Sequence, residues 1–464
     1  MKLTYGIKDK PGFGKTILFA LQQLLAIMAA TIAVPNIIGH GMSPAAALFG
    51  AGVGTLVYLL FTRFRSPVFL GSSFAFLGSM AAAFAGGVSM SLGYLGLILG
   101  AVFAGLVYVV IAIIVKLTGA GWINKLMPAV VIGPTVAIIG LSLAGNAVGD
   151  LFTGNVTHKV AEKVIENDAI VEKMVDAQNA SPYLCLLCGL VTLFVTMLCS
   201  VYGKKLLKMI PFIIGICAGY ALAAIFTVIG NSANIPAMQI IDFTKFASMQ
   251  WYPQFTFLTA FQGGYEFGEV GNIGTYIATI AVAYIPVAFV VFAEHIADHK
   301  NISSIIESDL LADPGLHNTL LGDGVGSMAG AFFGGCPNTT YGESIGCVAI
   351  SGNASVITIF TTAVIAIVIS FIAPFSTFLS TIPSCVMGGV CMALYGFIAV
   401  SGLKMVQKVD LEDNRNLFVV SAILIAGIGG MTISVGPVVL TEVASALILG
   451  IIVNVVLGLK KKAE

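Results

Sequence analysis

Five carboxylic side chains lie within long apolar stretches of this sequence, in which no Lys or Arg lies deep: Glu294, Asp298, Asp323, Glu343 and Glu442. A charge inside a bilayer costs several kcal/mol and usually marks a substrate or ion pathway. A low dielectric constant also favours the protonated form of an acid without a basic partner. These acids therefore suit a cation, a proton or a neutral hydrogen-bond donor, and they disfavour an anion. Glu442, near a predicted membrane boundary, is interpreted as structural.

Two of these acids stand in the motif AEHIADH. Glu294 and Asp298 are four residues apart, so that a helix presents both on one face. They are either the polar end of a helix or functional groups, and a polar pair at the matching place of the repeat described below favours function. His295 and His299 of the same motif are either interfacial or active in proton transfer. Asp323 is either a hydrogen-bonded structural acid or functional.

A fourth acid stands in the stretch PNTTYGESIG, which separates two apolar runs. Pro337 disfavours a helix before it and donates no backbone hydrogen bond, so we expect this segment to be broken. A half-helix that begins near Gly342 would leave its first N–H groups free as donors, with the Glu343 carboxylate beside them as an acceptor.

A second stretch, PVFLGSSFAF, offers the counterpart of this break. Gly71, Ser72 and Ser73 leave room for close backbone approach, and Phe74 or Phe76 can supply an aromatic face. Irregular backbone at membrane depth is tolerated only where it lines a cavity or is buried in protein. The two stretches therefore predict a pocket with donors, acidic acceptors and an aromatic wall, which suits a small, flat, neutral heterocycle.

The composition places the chain in a membrane. Of its 464 residues, 58% are hydrophobic and 9% charged, whereas soluble globular proteins have roughly 25% charged residues. Apolar runs long enough to cross a bilayer as helices recur throughout. They predict an all-α polytopic membrane protein with fourteen segments, at about 16–38, 45–62, 67–85, 92–116, 127–147, 182–202, 209–229, 275–299, 317–334, 337–351, 354–374, 378–402, 416–434 and 436–458.

The basic residues orient these segments. With both termini in the cytoplasm, only Lys159, Lys163, Lys173 and Lys245 of the 22 Lys and Arg residues fall outside, which follows the positive-inside rule. The two long outside connections are about 148–181 and 230–274. Acids interleaved with lysines in the first connection predict a solvated helical face.

An internal repeat divides the segments into two halves of seven. GAGVGT (Gly50 to Thr55) matches GDGVGS (Gly322 to Ser327), and the same offset carries the Gln22–Gln23 pair onto the AEH motif. An odd number of segments per half makes the repeat inverted, as in many secondary transporters, and places breaks in segments three and ten. The glycines spaced by four are interpreted as close helix packing, since neither glycine motif has the strand and Gly-Lys-Ser/Thr of a phosphate loop.

Other function classes find little support. A net charge of zero gives no case for nucleic acid as a partner. The eight cysteines lack metal-ligand spacing and are interpreted as small hydrophobic residues, so no metal is predicted. We find no nucleophile, metal cluster or cofactor motif, and we therefore predict neither an enzyme nor a bound cofactor.

Nearly the whole chain resembles the bacterial uracil permeases of the nucleobase/ascorbate transporter (nucleobase:cation symporter-2) family. The similarity runs from LQQLLAIMAATIAVP through GSSFAF, AEHIADH, DPGLH and PNTTYGESIG to MGGVCMALYG. It implies fourteen segments in a 7+7 inverted repeat, with segments three and ten broken by short strands. It also implies a core domain, residues 1–125 and 271–375, and a gate domain, residues 126–270 and 376–464. A homodimer through the gate domain, in lipid of the cytoplasmic membrane, is what the resemblance suggests.

The resemblance also implies a substrate site. Glu294 and Glu343 are similar to the pair of acids that accept hydrogen bonds from the base, Phe74 and Gly342 to positions that lend backbone donors, and Ser73 is a candidate contact beside them. Proton coupling is expected at Glu294, helped by Asp298 and Gln23, which stand where relatives commonly have histidines.

The implied function is proton-coupled import of uracil by alternating access. Asp298 is also found in purine-transporting relatives, so a xanthine or urate symporter is the alternative, although xanthine transporters tend to have Gln where this chain has Glu343. A passive channel for small neutral solutes is the other alternative. An anion transporter is disfavoured by the lack of deep basic residues.

Overall fold

The computed structural model describes residues 3–119, 128–166, 169–204, 207, 210–249, 251–435, 438–440 and 442–458. The chain is mostly helical. Its helices are α1 (Phe13–Ile38), α2 (Pro44–Phe61), α3 (Leu77–Ala82), α4 (Met90–Thr118), α5 (Ala129–Ser142), α6 (Ala144–Asp150), α7 (Pro182–Tyr202), α8 (Pro211–Ala233), α9 (Thr256–Ala260), α10 (Ile273–Ile306), α11 (Leu316–Gly334), α12 (Gly342–Ser351), α13 (Val356–Ile369), α14 (Ala373–Thr381), α15 (Ser384–Val406), α16 (Asn414–Ile428) and α17 (Glu442–Gly458).

Six strands, all of them paired, complete the fold. They are β1 (Leu70–Ser72), β2 (Thr157–Glu166), β3 (Ala169–Gln178), β4 (Asn338–Thr340), β5 (Ile433–Val435) and β6 (Val438–Leu440). They form three two-stranded antiparallel sheets, β1 with β4, β2 with β3 and β5 with β6. The expected breaks in segments three and ten are confirmed, since β1 and β4 lie within those segments.

Eight helices of the described residues are long and apolar enough to cross a membrane, or nine if α13 and α14 count as one bent span. Capping side chains begin several of them: Ser43 accepts a hydrogen bond from Ala46 N in α2, and Asn272 accepts one from Thr275 N in α10. The protein is thus a polytopic membrane protein. The count of fourteen segments stays a prediction.

The chain forms two compact units. One contains the described parts of Met1–Leu143, Trp251–Ile372 and Leu394–Glu464, and the other contains Ala144–Gln250 and Ala373–Ala393. The division into core and gate domains at the boundaries given above stays a prediction.

The expected helical face in the first outside connection is wrong. Residues 157–166 and 169–178 pair as β2 and β3, in a register from Thr157 opposite Gln178 to Glu166 opposite Ala169. The run is rich in Val and Ile, which favour strands, and Asp168 lies outside the described residues. Interleaved acids and lysines are compatible with a strand pair as well as with a helix.

Close packing of α2 on α11 explains the glycine motifs. A Cβ on Gly50 would lie 2.4 Å from the Gly330 carbonyl oxygen, and one on Gly326 would lie 2.7 Å from the Gly54 oxygen. The predicted role of these glycines in helix packing is therefore confirmed. The missing side chains of Gly54 and Gly330 also leave room for the buried Asn338 side chain of β4. Its Nδ2 donates to the Gly50 oxygen at 3.1 Å.

Candidate substrate site

A pair of buried strands forms the floor of the candidate site. β1 and β4 pair Leu70 with Thr340, Gly71 with Thr339 and Ser72 with Asn338. Two further hydrogen bonds extend the ladder at its ends, from Ser73 N to the Pro337 oxygen at 2.9 Å and from Tyr341 N to the Phe69 oxygen at 3.3 Å. Each strand thereby satisfies the backbone groups of the other at a depth where water is scarce.

One aromatic ring covers the strand pair and requires a glycine beneath it. A Cβ on Gly71 would lie 2.4 Å from the Tyr341 ring. The Tyr341 hydroxyl donates a hydrogen bond to the Ser72 oxygen at 2.8 Å. This contact ties the start of α12 to β1 and so helps to position Gly342 and Glu343, which follow Tyr341 directly.

Each of the two strands is followed by a short helix whose first residues line the same pocket. After β1 a 3-10 helix spans Phe74–Phe76 and leads into α3, and after β4 the helix α12 begins at Gly342. The first N–H groups of such helices have no intrahelical acceptor and can donate to a ligand. A Cβ on Gly342 would meet no atom within 4 Å, so the backbone is open at this point.

A small pocket opens between these elements, with about 390 Å³ of empty space when the open solvent at its mouth is included. All five residues predicted to bind substrate line it. The lining comprises Ser73, Phe74, Ala75, Ile139, Glu294, Thr339, Thr340, Tyr341, Gly342, Glu343 and Ile398. The Phe74 ring is held by an edge-to-face contact with Tyr395, with 5.6 Å between ring centroids.

Two half-buried carboxylates give the pocket its polar character. Glu294 comes from α10 and Glu343 from the first turn of α12. Neither forms an ion pair with a basic side chain of the described residues. Glu294 and Asp298 are not at a helix end, since α10 continues to Ile306, about two turns beyond Asp298. The interpretation as a polar helix end is therefore wrong.

The other two residues predicted to couple protons do not line the pocket, and each has a hydrogen bond with a hydroxyl group of a nearby residue. The Thr340 hydroxyl donates to Asp298 Oδ2 at 2.7 Å. Gln23, buried in α1, donates to the Ser344 hydroxyl oxygen, which also accepts a hydrogen bond from Phe69 N at 3.2 Å. Asp298 is thus joined to β4 and Gln23 to α12.

Six residues of the lining were missed from the sequence: Ala75, Ile139, Thr339, Thr340, Tyr341 and Ile398. The hydroxyls of Thr339 and Ser73 are buried without a hydrogen-bond partner among the described residues, which leaves them available to a ligand. Thr339 stands in the quoted motif beside Thr340, and both line the pocket, so the two-residue period of a strand would not have distinguished them. Ile139 and Ile398 have no local signal, because each is one apolar residue among many.

The two histidines of α10 are fully buried in the protein. His295 Nδ1 lies 2.6 Å from Asp323 Oδ2, and its Nε2 lies 3.0 Å from the Thr319 hydroxyl. His299 Nε2 lies 2.7 Å from the Tyr58 hydroxyl. Asp323 is therefore hydrogen-bonded, as its structural interpretation requires, and its partner is a titratable group.

Comparison with known proteins places the chain in a family. The family model Xan_ur_permease, described as "Permease family", matches residues 14–436. The chain belongs to this permease family. The uracil permease of Bacillus subtilis (strain 168) is 36% identical to the permease over 467 residues, which cover 100% of this chain and 97% of the relative. The uracil permease of Escherichia coli (strain K12) is 33% identical over 449 residues, which cover 96% and 92%.

Solved structures share the fold of the permease. The transmembrane domain of a cyanobacterium bicarbonate transporter, BicA, aligns with a TM-score of 0.59 at 14% identity, covering 97% of this chain and 99% of that one. The murine anion transporter Slc26a9 in its inward-facing state aligns with a TM-score of 0.63 at 12% identity, covering 98% and 69%. The relatives are transporters, so the permease is a membrane transport protein and not an enzyme.

Proposed function

We propose that the permease imports uracil together with a proton by alternating access. The observation that supports the substrate most directly is the full-length similarity, at 33–37% identity, to relatives named uracil permeases. The pocket offers groups that fit this substrate, and no residue of its lining is basic.

The chemistry of the pocket matches the edges of the base. Uracil presents N–H donors and carbonyl acceptors around a flat, neutral ring. The Glu294 and Glu343 carboxylates accept from the N–H groups, and the backbone N–H groups at Gly342 and Phe74 donate to the carbonyl oxygens. Phe74 packs on the ring, and the free hydroxyl of Ser73 supplies a further contact.

Proton coupling is proposed at the same carboxylates. Two acids that face one pocket without a basic partner repel each other when both are charged, which favours a proton on one of them. Glu294 takes the proton. Asp298, which accepts a hydrogen bond from Thr340, and Gln23, which donates one to Ser344 in the first turn of α12, assist it. A negative membrane potential drives this proton, with the neutral base, inward.

The moving parts follow the proposed architecture of fourteen segments in a 7+7 inverted repeat. Segments one to four and eight to eleven form a core domain that contains β1, β4 and the two acids. Segments five to seven and twelve to fourteen form a gate domain, which supplies Ile139 and Ile398 to the pocket. Movement of the core against the gate exposes the pocket to each side in turn.

Contacts between connecting segments support the proposed grouping of the connections on two sides of the membrane, and the positive-inside rule assigns the side with both termini to the cytoplasm. Thr4 N donates to the Gly352 oxygen at 2.8 Å, and Arg65 pairs with Asp313, each joining two segments proposed to be cytoplasmic. Ser89 N donates to the Glu266 oxygen at 3.0 Å between two segments proposed to be outside. We place the protein in the cytoplasmic membrane as a homodimer through the gate domain.

Competition for uptake tests the substrate. Proteoliposomes containing the purified permease are given labelled uracil with an excess of unlabelled uracil, xanthine or urate. Uracil alone is expected to compete strongly. Transport of labelled xanthine or urate in place of uracil would instead assign the permease to purines and indicate that Asp298 outweighs Glu343 in selectivity.

A further inference from the structure

A second polar region lies beside the pocket and is fully buried in the protein. It consists of Tyr58 and Ser66 near the end of α2, His295 and His299 in α10, and Thr319 and Asp323 in α11. We call these six residues the buried chain. None of them lines the pocket, and the binding of uracil proposed above uses none of them.

The half of the buried chain nearer the pocket holds a shared proton. When the Thr319 hydroxyl donates to the Leu316 oxygen at 3.0 Å, its own oxygen accepts from His295 Nε2. One further proton then lies between His295 Nδ1 and Asp323 Oδ2, which are 2.6 Å apart. The pair is neutral overall in this arrangement. The second oxygen of Asp323 has no partner among the described residues, which disfavours a full negative charge on this acid.

The other half of the buried chain has two possible directions of hydrogen bonding. His299 Nδ1 lies 2.8 Å from the His295 carbonyl oxygen and must donate to it. The Tyr58 hydroxyl donates to Ser66 Oγ at 2.6 Å, so Tyr58 accepts from His299 Nε2 at 2.7 Å and the ring holds two protons. With a neutral ring the order is reversed: Ser66 donates to Tyr58, and Tyr58 donates to His299. The same heavy atoms therefore accommodate states that differ by one proton.

The last residue of the buried chain is next to an exposed residue in the sequence. Ser66 is itself fully buried, but it follows Arg65, whose side chain is 45% exposed and pairs with Asp313. The topology proposed above puts Arg65 and Asp313 on the cytoplasmic side. His299 lies one helical turn after His295 in α10, on the side away from Glu294. The two imidazole rings stack with 4.0 Å between their centroids.

We propose that the buried chain is the route by which the coupling proton leaves the pocket region for the cytoplasm. This inference rests on the proposed proton coupling and adds a path and a direction to it. The proton rests first between His295 and Asp323. It passes to His299 when that ring turns about χ2, since the ring nitrogens do not bond each other in this structure.

The last steps conserve protons. His299 Nε2 gives a proton to the Tyr58 oxygen, Tyr58 gives its own proton to Ser66, and Ser66 gives its proton to a water molecule that enters beside Arg65 when the core moves against the gate. One proton has then left the protein, His299 is neutral, and rotation of the two hydroxyls restores the starting order. If the three transfers occur together, the Tyr58 and Ser66 hydroxyls are both neutral before and after them.

Other ionisable groups surround the buried chain. Glu294 and Asp298 lie on α10 itself, and Tyr108 packs from α4 with its ring centroid 6.2 Å from that of His295. The Tyr108 hydroxyl has no partner among the described residues. The acids on α10 lie between the pocket and the histidines and can deliver the proton to the buried chain.

Removal of one hydroxyl tests the route. Tyr58→Phe keeps the ring and its packing but breaks the link to Ser66. Tyr284→Phe is the matched control, because Tyr284 is also fully buried and its hydroxyl has no partner among the described residues. Each variant of the full chain is measured in proteoliposomes in two ways: exchange of labelled for unlabelled uracil at equal pH, and uracil accumulation driven by an inward proton gradient.

The route predicts that Tyr58→Phe exchanges uracil at close to the rate of Tyr284→Phe. Its proton-driven accumulation of uracil should be about tenfold slower than that of Tyr284→Phe, since removal of a proton-transfer group lowers the rate by at least this factor. Equal accumulation by both variants would overturn the route. If Tyr58→Phe also lost exchange, Ser66→Ala would decide by the same two assays and the same criterion. Wild-type protein that exchanges but never accumulates uracil would overturn proton coupling itself, and the route with it.

Discussion

The hydroxyl of Thr340 donates a hydrogen bond to the carboxylate of Asp298 across 2.7 Å, which joins the last residue of β4 to the interior of α10. Thr340 lines the pocket and stands three residues before Glu343. A change of charge on Asp298 therefore acts on the strand that positions the proposed substrate-binding acid of α12. This link offers a physical connection between protonation and the shape of the site.

Loss of this link should weaken coupling. Thr340→Val keeps the shape of the side chain but leaves Asp298 without its hydroxyl donor, at a cost of about 1–3 kcal/mol. We expect proton-driven uracil uptake to slow by roughly tenfold, which corresponds to about 1.4 kcal/mol. The measurement is the initial rate of uptake into proteoliposomes under an inward proton gradient.

Thr361→Val is the control for this substitution, because Thr361 is half-buried on α13, lies outside the pocket lining, and its hydroxyl donates within its own helix, to the Ile357 oxygen at 2.8 Å. Thr340→Val uptake as fast as that of the control would show that Asp298 acts without Thr340.

Replacement of either pocket acid by its amide should reduce uracil binding. Glu294→Gln and Glu343→Gln preserve size but exchange a charged acceptor for a weaker one, and hydrogen bonds to charged groups contribute about 1.5–3 kcal/mol. The expected increase in Kd is roughly 10- to 100-fold, measured by equilibrium binding of labelled uracil to the purified variants in detergent.

The control for the pocket acids is Glu442→Gln, at the start of α17 and absent from the pocket lining. It should leave Kd unchanged. Wild-type affinity in both pocket variants would refute the assignment of the site.

The glycine beneath Tyr341 should be irreplaceable. In Gly71→Ala the new methyl group would lie 2.4 Å from the ring, and such overpacking costs about 1–3 kcal/mol. We expect a lower Tm in detergent and slower uracil transport, because displacement of Tyr341 also shifts the start of α12.

Gly346→Ala provides the comparison on α12 itself, since its new methyl group meets no atom within 4 Å and alanine favours the helix by up to about 1 kcal/mol. This variant should be as stable as the wild type or more stable. A Tm for Gly71→Ala equal to that of Gly346→Ala would mean that the ring moves aside freely.

Local chemistry explains why the centre of the site was predictable from the sequence. Pro337 and the small residues around Gly71 prevent continuous helices, so the two breaks could be predicted, and the structure confirms them as β1 and β4. The same local signals identified Glu294 and Glu343, because an acid within an apolar run is conspicuous. The structure brings these predicted residues to one pocket, and their roles in binding stay predictions.

Contacts between distant parts of the chain were not predictable. His295 and Asp323 are 28 residues apart and His299 and Tyr58 are 241 apart, so that only the packing of three helices reveals the buried chain. The β2–β3 pair was missed for a different reason. Acids interleaved with lysines occur in helices and in strands, so this pattern alone did not distinguish the two.

Uptake of labelled uracil into proteoliposomes under an inward proton gradient, with and without a protonophore, tests the central claim most directly. Proton-coupled import predicts that uracil accumulates above its outside concentration and that the protonophore abolishes the accumulation. Uracil that only equilibrates across the membrane, at a rate unchanged by the protonophore, would contradict the claim and identify a passive channel.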